Sequence, residues 1–216
     1  MNLMSSHFET LADTATPAAP VGLSIRKRWL DFTFAALVLL LLAPLFVLVA
    51  AAIKIESKGP VFFRQQRTGL GGQAFIILKF RSMRLHQDQH VTQATRHDAR
   101  ITRVGAFIRA LSIDELPQLL NVLRGDMSLV GPRPHALAHD ARWSLVVPEY
   151  RQRFRARPGL TGYAQVRGRR GEVSCIEDIA ARVDDDNTYI EHWSLLLDFK
   201  IVLHTIPLIF GDPNAY

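Results

Sequence analysis

Hydrophobic and polar positions divide this chain unevenly. From Phe32 to Ile53 no charged residue interrupts an apolar run, a length close to the ~20 residues that span hydrocarbon as a helix. Arg26, Lys27 and Arg28 precede the run, Asp31 adjoins it, and Lys54, Lys58, Arg64 and Arg67 follow. Basic residues gather on the cytoplasmic side of membrane segments, so both flanks carry the same mark. Pro44 lacks the N–H that would bond the Leu40 carbonyl, and it bends a helix there. A helix bent at Ala43–Pro44 can enter and leave by one face, whereas a tilted spanning helix also tolerates proline. Residue chemistry leaves both readings open. A cleaved signal peptide fits poorly, because its apolar core is usually only ~7–15 residues long.

Beyond Ser57 short apolar stretches alternate with turn residues: Gly59-Pro60, Val61-Phe62-Phe63, then Gly69, Gly71 and Gly72, then Phe75 to Leu78. That order predicts a β-hairpin or small sheet. Residues 85 to 100 read as a polar loop, in which His86 and His90 lack a second ligand pair and so read as solvated. Ile101 to Ala110 and Leu116 to Leu123 predict short amphipathic helices, the second stopped by Gly125. Tyr189 to Phe210 is apolar again and suits the membrane interface, with Trp193 at headgroup depth. Residues 1–24, rich in Thr, Ala, Ser and Pro, read as a poorly ordered leader. The expected fold is α/β and mostly α: a small membrane-associated domain with one bent re-entrant helix (25–56), a catalytic portion (57–216) and interfacial helices.

At 216 residues the chain has room for one sizeable core. The formal charge of +6 points to an anionic partner, whether nucleic acid, lipid headgroups or a phosphorylated small molecule. Nucleic acid fits badly, because the basic residues are not interleaved with aromatics that could stack on bases. A lone cysteine, Cys175, cannot close an intrachain disulfide, which fits a reducing compartment.

The densest chemistry lies in Arg109-Ala-Leu-Ser112-Ile-Asp114-Glu115-Leu-Pro-Gln118 and in Ser128-Leu-Val-Gly131-Pro132-Arg133-Pro134. Adjacent carboxylates at a helix start have a purely structural explanation: Asp114 as N-cap with Pro117 in the first turn, or Ser112 and Glu115 as a capping box. The same pair can divide labour, one attacking phosphorus and the other holding a metal, if cations neutralise the phosphates. Arg109 and Arg133 can grip phosphate oxygens in a fork, and Lys79, near a strand end, adds a point charge. Pro132 and Pro134 stiffen the backbone on both sides of Arg133. The Arg167-Gly-Arg-Arg170-Gly171 stretch can hold phosphates, while Arg151, Arg153, Arg155 and Arg157 suit anionic headgroups equally well.

These strings resemble the bacterial sugar transferases, the monotopic polyprenyl-phosphate phosphoglycosyl transferases. The shared residues are Lys27-Arg28 with Asp31, Gly59 to Gln65, Lys79 to Met83, Thr95 to Asp98, Ser112 to Gln118, Ser128 to Pro134 and Arg157 to Gln165. The resemblance implies a re-entrant helix bent near Ala43–Pro44, at the cytoplasmic face of a bacterial inner membrane. It further implies that Asp114 attacks a UDP-hexose, releasing UMP and leaving a phosphosugar on the aspartate that undecaprenyl phosphate then takes up. Glu115, with Asp114, would bind Mg2+, and Lys79, Arg109, Pro132, Arg133 and Pro134 would contact the donor. Membrane lipids are the other implied partner, and a homodimer is allowed. Tyr163 stands where tryptophan is common in the family and Arg167 where asparagine is common. The chain resembles the minimal catalytic core of larger members. Its Tyr189 to Lys200 segment is similar to members handling glucose or galactose. A non-catalytic adaptor on the same scaffold is the rival reading.

Overall fold

A computed structural model describes residues 16–84, 98–171, 173 and 175–211. The expectations for residues 1–15 of the leader and for His86, His90, Thr95, Arg96 and His97 lie outside these described residues. The fold is mostly helical, with two small sheets. In chain order it comprises α1 (Pro20–Leu23), α2 (Ile25–Glu56), β1 (Phe62–Thr68), β2 (Ala74–Phe80), α3 (Arg103–Ala110), α4 (Gln118–Arg124), β3 (Ser128–Val130), α5 (Leu137–Val146), β4 (Gly159–Thr161), α6 (Tyr163–Val166), α7 (Ile176–Glu191) and α8 (Leu195–Gly211). Short 3-10 turns lie at Leu70–Gly72, Ile113–Glu115 and Tyr150–Arg155.

The predicted hairpin is present: β1 and β2 pair antiparallel from Phe62 opposite Phe80 to Thr68 opposite Ala74. A parallel pair, Ser128 with Gly159 and Val130 with Thr161, makes the second sheet. Gly131 and Gly159 permit that approach, since a Cβ on Gly159 would stand 2.1 Å from the Gly131 nitrogen. The end of the leader departs from expectation. Ala19 and Val21 are buried in a core cluster with Tyr189 and Ile201, and the Ala19 amide donates to the Arg155 carbonyl. Small apolar residues there fill a gap between elements far apart in sequence.

Helix α2 continues unbroken for 32 residues with Pro44 inside it, about 48 Å at ~1.5 Å per residue. By length and composition it is able to cross a membrane. One stripe, Asp31, Ala35, Val38, Leu39, Leu45, Phe46, Val49 and Ile53, faces the domain on both sides of Pro44. Leu37, Leu40, Leu41, Val47 and Leu48 are exposed on the rest of its surface.

Both ends of α2 are tied to the same polar body. At its start Lys27 Nζ donates to Asp198 of α8 at 2.6 Å, and Asp31 accepts from Ser128 Oγ at 2.6 Å and the Leu129 amide at 3.2 Å. Arg28 donates to the Val122 and Leu123 carbonyls, covering the end of α4 where Gly125 turns left-handed. At the other end Glu56 accepts from the Arg103 and Val104 amides at 2.7 and 2.9 Å, satisfying the first N–H groups of α3. Helix α8 exposes Leu196, Phe199, Leu203 and Ile206 at helical spacing. Trp193 is half-buried: it packs against the core, and its indole N–H donates to Asp198 at 3.1 Å.

Helix α4 lies between α2 and the hairpin. Ala35, Ile77, Leu119, Val122 and Met127, all nearly inaccessible, form their common core. Asn121, 0% exposed, locks α4 to β2: its Oδ1 accepts from the Leu78 amide at 3.0 Å and its Nδ2 donates to the Ile76 carbonyl at 2.7 Å. Lys79, next along β2, is thereby fixed relative to α4. Replacing Asn121 with Ala strands the buried Leu78 N–H and takes the donor from the part-buried Ile76 carbonyl. The expected loss is about 1–3 kcal/mol, the cost of one unsatisfied buried group, read as a lower Tm in detergent. An unchanged Tm would mean that this lock contributes nothing.

Candidate active site

Asp114 and Glu115 lie in the 3-10 turn Ile113–Glu115, ahead of α4 rather than capping it. Neither capping arrangement forms. Ser112 adopts a left-handed conformation, φ 54°, and its side chain makes no cap bond, because a capping side chain needs an extended backbone at that position. The Ser112 amide donates to the Arg109 carbonyl at 3.0 Å, and the Glu115 amide donates to the Ser112 carbonyl at 3.2 Å. A left-handed serine costs roughly 1–2 kcal/mol, and such strain persists only where the surroundings impose it. It brings both carboxylates inward, at 8% and 9% exposure.

The two acids differ in their surroundings. Glu115 Oε1 accepts from Lys79 Nζ at 2.7 Å and from Arg133 Nη2 at 2.8 Å, and its Oε2 lies 3.3 Å from Arg133 Nη1. Although burial opposes its charge, these two cations hold Glu115 well below the usual carboxylate range. Burial dominates at Asp114 and pushes it up to about 6; Glu115 adds to the rise, while Lys79, Arg109 and Arg133 oppose it. The ionised carboxylate expected from a helix start is therefore replaced by one that titrates close to neutrality. A desolvated carboxylate that is mostly ionised at pH 7 to 8 is a competent nucleophile or base.

Arg133 is held from behind. Its carbonyl accepts from Arg153 Nη2 at 2.6 Å, and Arg153 Nε donates to Asp186 of α7 at 2.8 Å. The same guanidinium lies 2.9 Å from His135 Nδ1, and Tyr150 Oη donates to Asp140 at 2.6 Å while Thr68 donates to the other Asp140 oxygen at 2.6 Å. Burial and the neighbouring arginines hold His135 well below its usual range, so it is neutral. This network braces the Pro-Arg-Pro segment. Pro132 and Pro134 supply carbonyls to the Gly159 amide and to Arg67, at 2.9 and 3.4 Å.

Sequence reasoning placed Asp114, Glu115, Lys79, Arg109 and Arg133 together, and the structure gathers the three half-buried cations around the buried acid pair. It missed Arg153, Asp140, Tyr150 and Asp186. Arg153 was expected at headgroups and is 3% exposed; Arg157, assigned likewise, donates to the Gly125 and Gly22 carbonyls. The only sequence signal for Arg153 was its place in a run of alternating arginines, which does not single it out.

A hard divalent cation such as Mg2+ is commonly held by one or two carboxylates together with substrate phosphates. Asp114 and Glu115 supply suitable oxygens, and among the described residues there is no cluster of three or more metal-ligating side chains. The dyad thus fits a site completed by substrate. There the cation would share Glu115 with Lys79 and Arg133.

Residues 23–212 match the bacterial sugar transferase family. The chain is 56% identical to a UDP-glucose:undecaprenyl-phosphate glucose-1-phosphate transferase of Caulobacter vibrioides, over 94% of this chain and 78% of that protein. It is 46% identical to a protein of the same description in Escherichia coli, over 93% of this chain but 43% of the relative. A UDP-N-acetylgalactosamine-undecaprenyl-phosphate N-acetylgalactosaminephosphotransferase of Aeromonas hydrophila is 45% identical, over 88% of this chain and 44% of the relative. The chain accordingly spans less than half the length of the last two. With the family matched over most of its length, this chain belongs to the bacterial sugar transferases and is an enzyme of the sugar-phosphate transferase class.

Proposed function

We propose that the enzyme moves hexose-1-phosphate from a UDP-hexose to undecaprenyl phosphate, through a phosphosugar carried on Asp114. The observation that carries this reading is the unequal acid pair: one carboxylate neutralised by Lys79 and Arg133, the other buried and poised near neutrality. An Asp114 oxygen attacks the β-phosphorus. The bond from that phosphorus to the bridging oxygen breaks, and UMP leaves with the electron pair. An oxygen of the lipid phosphate then attacks the same phosphorus, breaking its bond to Asp114 and freeing the carboxylate. Lys79, Arg109 and Arg133 offset the negative charge gathering on the phosphoryl oxygens. Mg2+, held by Glu115 and Asp114 with substrate phosphates, would supply further charge neutralisation.

Glucose is the first expectation for the sugar, because relatives of that description are 56% and 46% identical to this chain; galactose is the second. The transfer would serve exopolysaccharide or related glycan assembly, as the name of a Rhizobium relative, an exopolysaccharide production protein, suggests. A non-catalytic adaptor would have no use for a buried, half-compensated carboxylate, which destabilises a fold.

We place the enzyme on the cytoplasmic face of a bacterial inner membrane, with 25–56 inserted from that face and α8 along the interface. Supporting this, both ends of α2 bond to one polar body, which would otherwise be divided between two aqueous phases. A lipid acceptor then presents its phosphate to Asp114 while its tail stays in hydrocarbon.

UMP release with Mg2+, undecaprenyl phosphate and a panel of UDP-sugars tests the reaction. Asp114→Asn is expected to lower it by at least about a thousandfold; release of UDP, or an active Asn variant, would contradict the assignment. Because Asp114 must be ionised to attack, kcat/KM is expected to fall about tenfold per pH unit below its ionisation near pH 6. A rate flat from pH 5 to 8 would remove Asp114 as the group that titrates. Single cysteines replacing the exposed Leu23 and Lys58 are expected to react with an impermeant reagent from the same side of sealed vesicles. Labelling from opposite sides would sink the single-face arrangement.

A further inference from the structure

The Gly- and Arg-rich stretch after α6 is not part of the mechanism above, and it is anchored at several points. Arg167 and Arg169 both donate to Asp185 of α7, whose side chain is 2% exposed. Gly168 turns left-handed between them, φ 82°, with open space where a side chain would stand. The Arg169 amide donates to the Ala164 carbonyl at 3.0 Å, and Arg182 of α7 donates to the Gly171 carbonyl at 3.0 Å. Between these anchors Arg170 reaches back across 58 residues, and its Nη2 lies 2.8 Å from Ser112 Oγ.

Ser112 is the residue whose left-handed backbone sets up the turn carrying Asp114 and Glu115. Glu149 is the other non-glycine residue with positive φ among those described, so the conformation is uncommon in this chain as well as costly in general. An unsupported serine relaxes toward the right-handed or extended regions, and such a relaxation would swing both carboxylates off the cations that face them. A hydroxyl held by a guanidinium from a loop that is anchored to α7 through Arg167, Arg169 and the Gly171 carbonyl opposes this rotation.

We infer that Arg170 is a positioning residue for the reaction: through Ser112 it holds the left-handed turn that aims Asp114, and Asp185 sets the loop that delivers it. The inference rests on Asp114 being the attacking group. It assigns the Arg-rich stretch to supporting the dyad rather than to gripping phosphate.

The test combines kinetics with hydrogen–deuterium exchange on the full chain in nanodiscs. Arg170→Ala is expected to lower kcat about tenfold, with KM for the UDP-sugar within about twofold and the acid limb of the pH profile unmoved. Arg170→Lys keeps a donor in reach of Ser112 and is expected to recover activity to within about threefold of wild type. In a Ser112→Gly background, where the left-handed turn is no longer strained, Arg170→Ala is expected to cost less than about twofold. Exchange of the amides in 111–117 is expected to quicken in Arg170→Ala, a readout that needs no activity. A raised KM with kcat unchanged, or an equal loss in the Ser112→Gly background, would make Arg170 a substrate contact and overturn the inference. Unchanged exchange would overturn it as well. Absence of UMP release by the wild type with any UDP-sugar would instead remove the proposed reaction, leaving the exchange result to decide whether the clasp exists.

Discussion

Placing two carboxylates side by side in a buried turn is the constraint around which this fold is organised. Each would be costly alone, because desolvation opposes its charge and proximity makes the two repel. The structure resolves this unequally. Lys79 and Arg133 converge on Glu115 and neutralise it, whereas Asp114 keeps a charge that its surroundings only partly offset. Burial that destabilises the folded state thus yields a group able to act near neutral pH.

The convergence has to be held in place, and much of the polar interior serves that purpose. Asn121 fixes β2, and hence Lys79, to α4. Arg153, anchored on Asp186, holds the carbonyl of Arg133, with Asp140, Tyr150 and His135 filling the space behind it. The long apolar helix α2 is continuous with this scaffold: Ala35 packs on Leu119 and Val122 of α4, and Arg28 covers the end of α4. Disturbing α2 therefore reaches the dyad through a single packed layer.

Much of the outline was legible in the sequence because it is local. The uncharged run from Phe32 to Ile53, the turn glycines between β1 and β2, Gly125 after α4, and the acid pair with its nearby arginines are all readable from spacing. What was not legible depends on contacts distant in the chain. Arg153 and Asp186 lie 33 residues apart, and Lys27 and Asp198 lie 171 apart; no periodicity links such partners. The capping assignments at Asp114 and Ser112 failed for a related reason, since local propensity gave way to a strained serine held from outside its own segment.

A covalent phosphosugar on Asp114 would be visible by intact-protein and peptide mass spectrometry after mixing the enzyme with UDP-hexose in the absence of lipid acceptor. A phosphohexose adduct is expected on the peptide containing Asp114, absent in Asp114→Asn and discharged when undecaprenyl phosphate is added. UMP release that requires both substrates at once, with no adduct at any time, would mean direct transfer between them and would contradict the role given to Asp114.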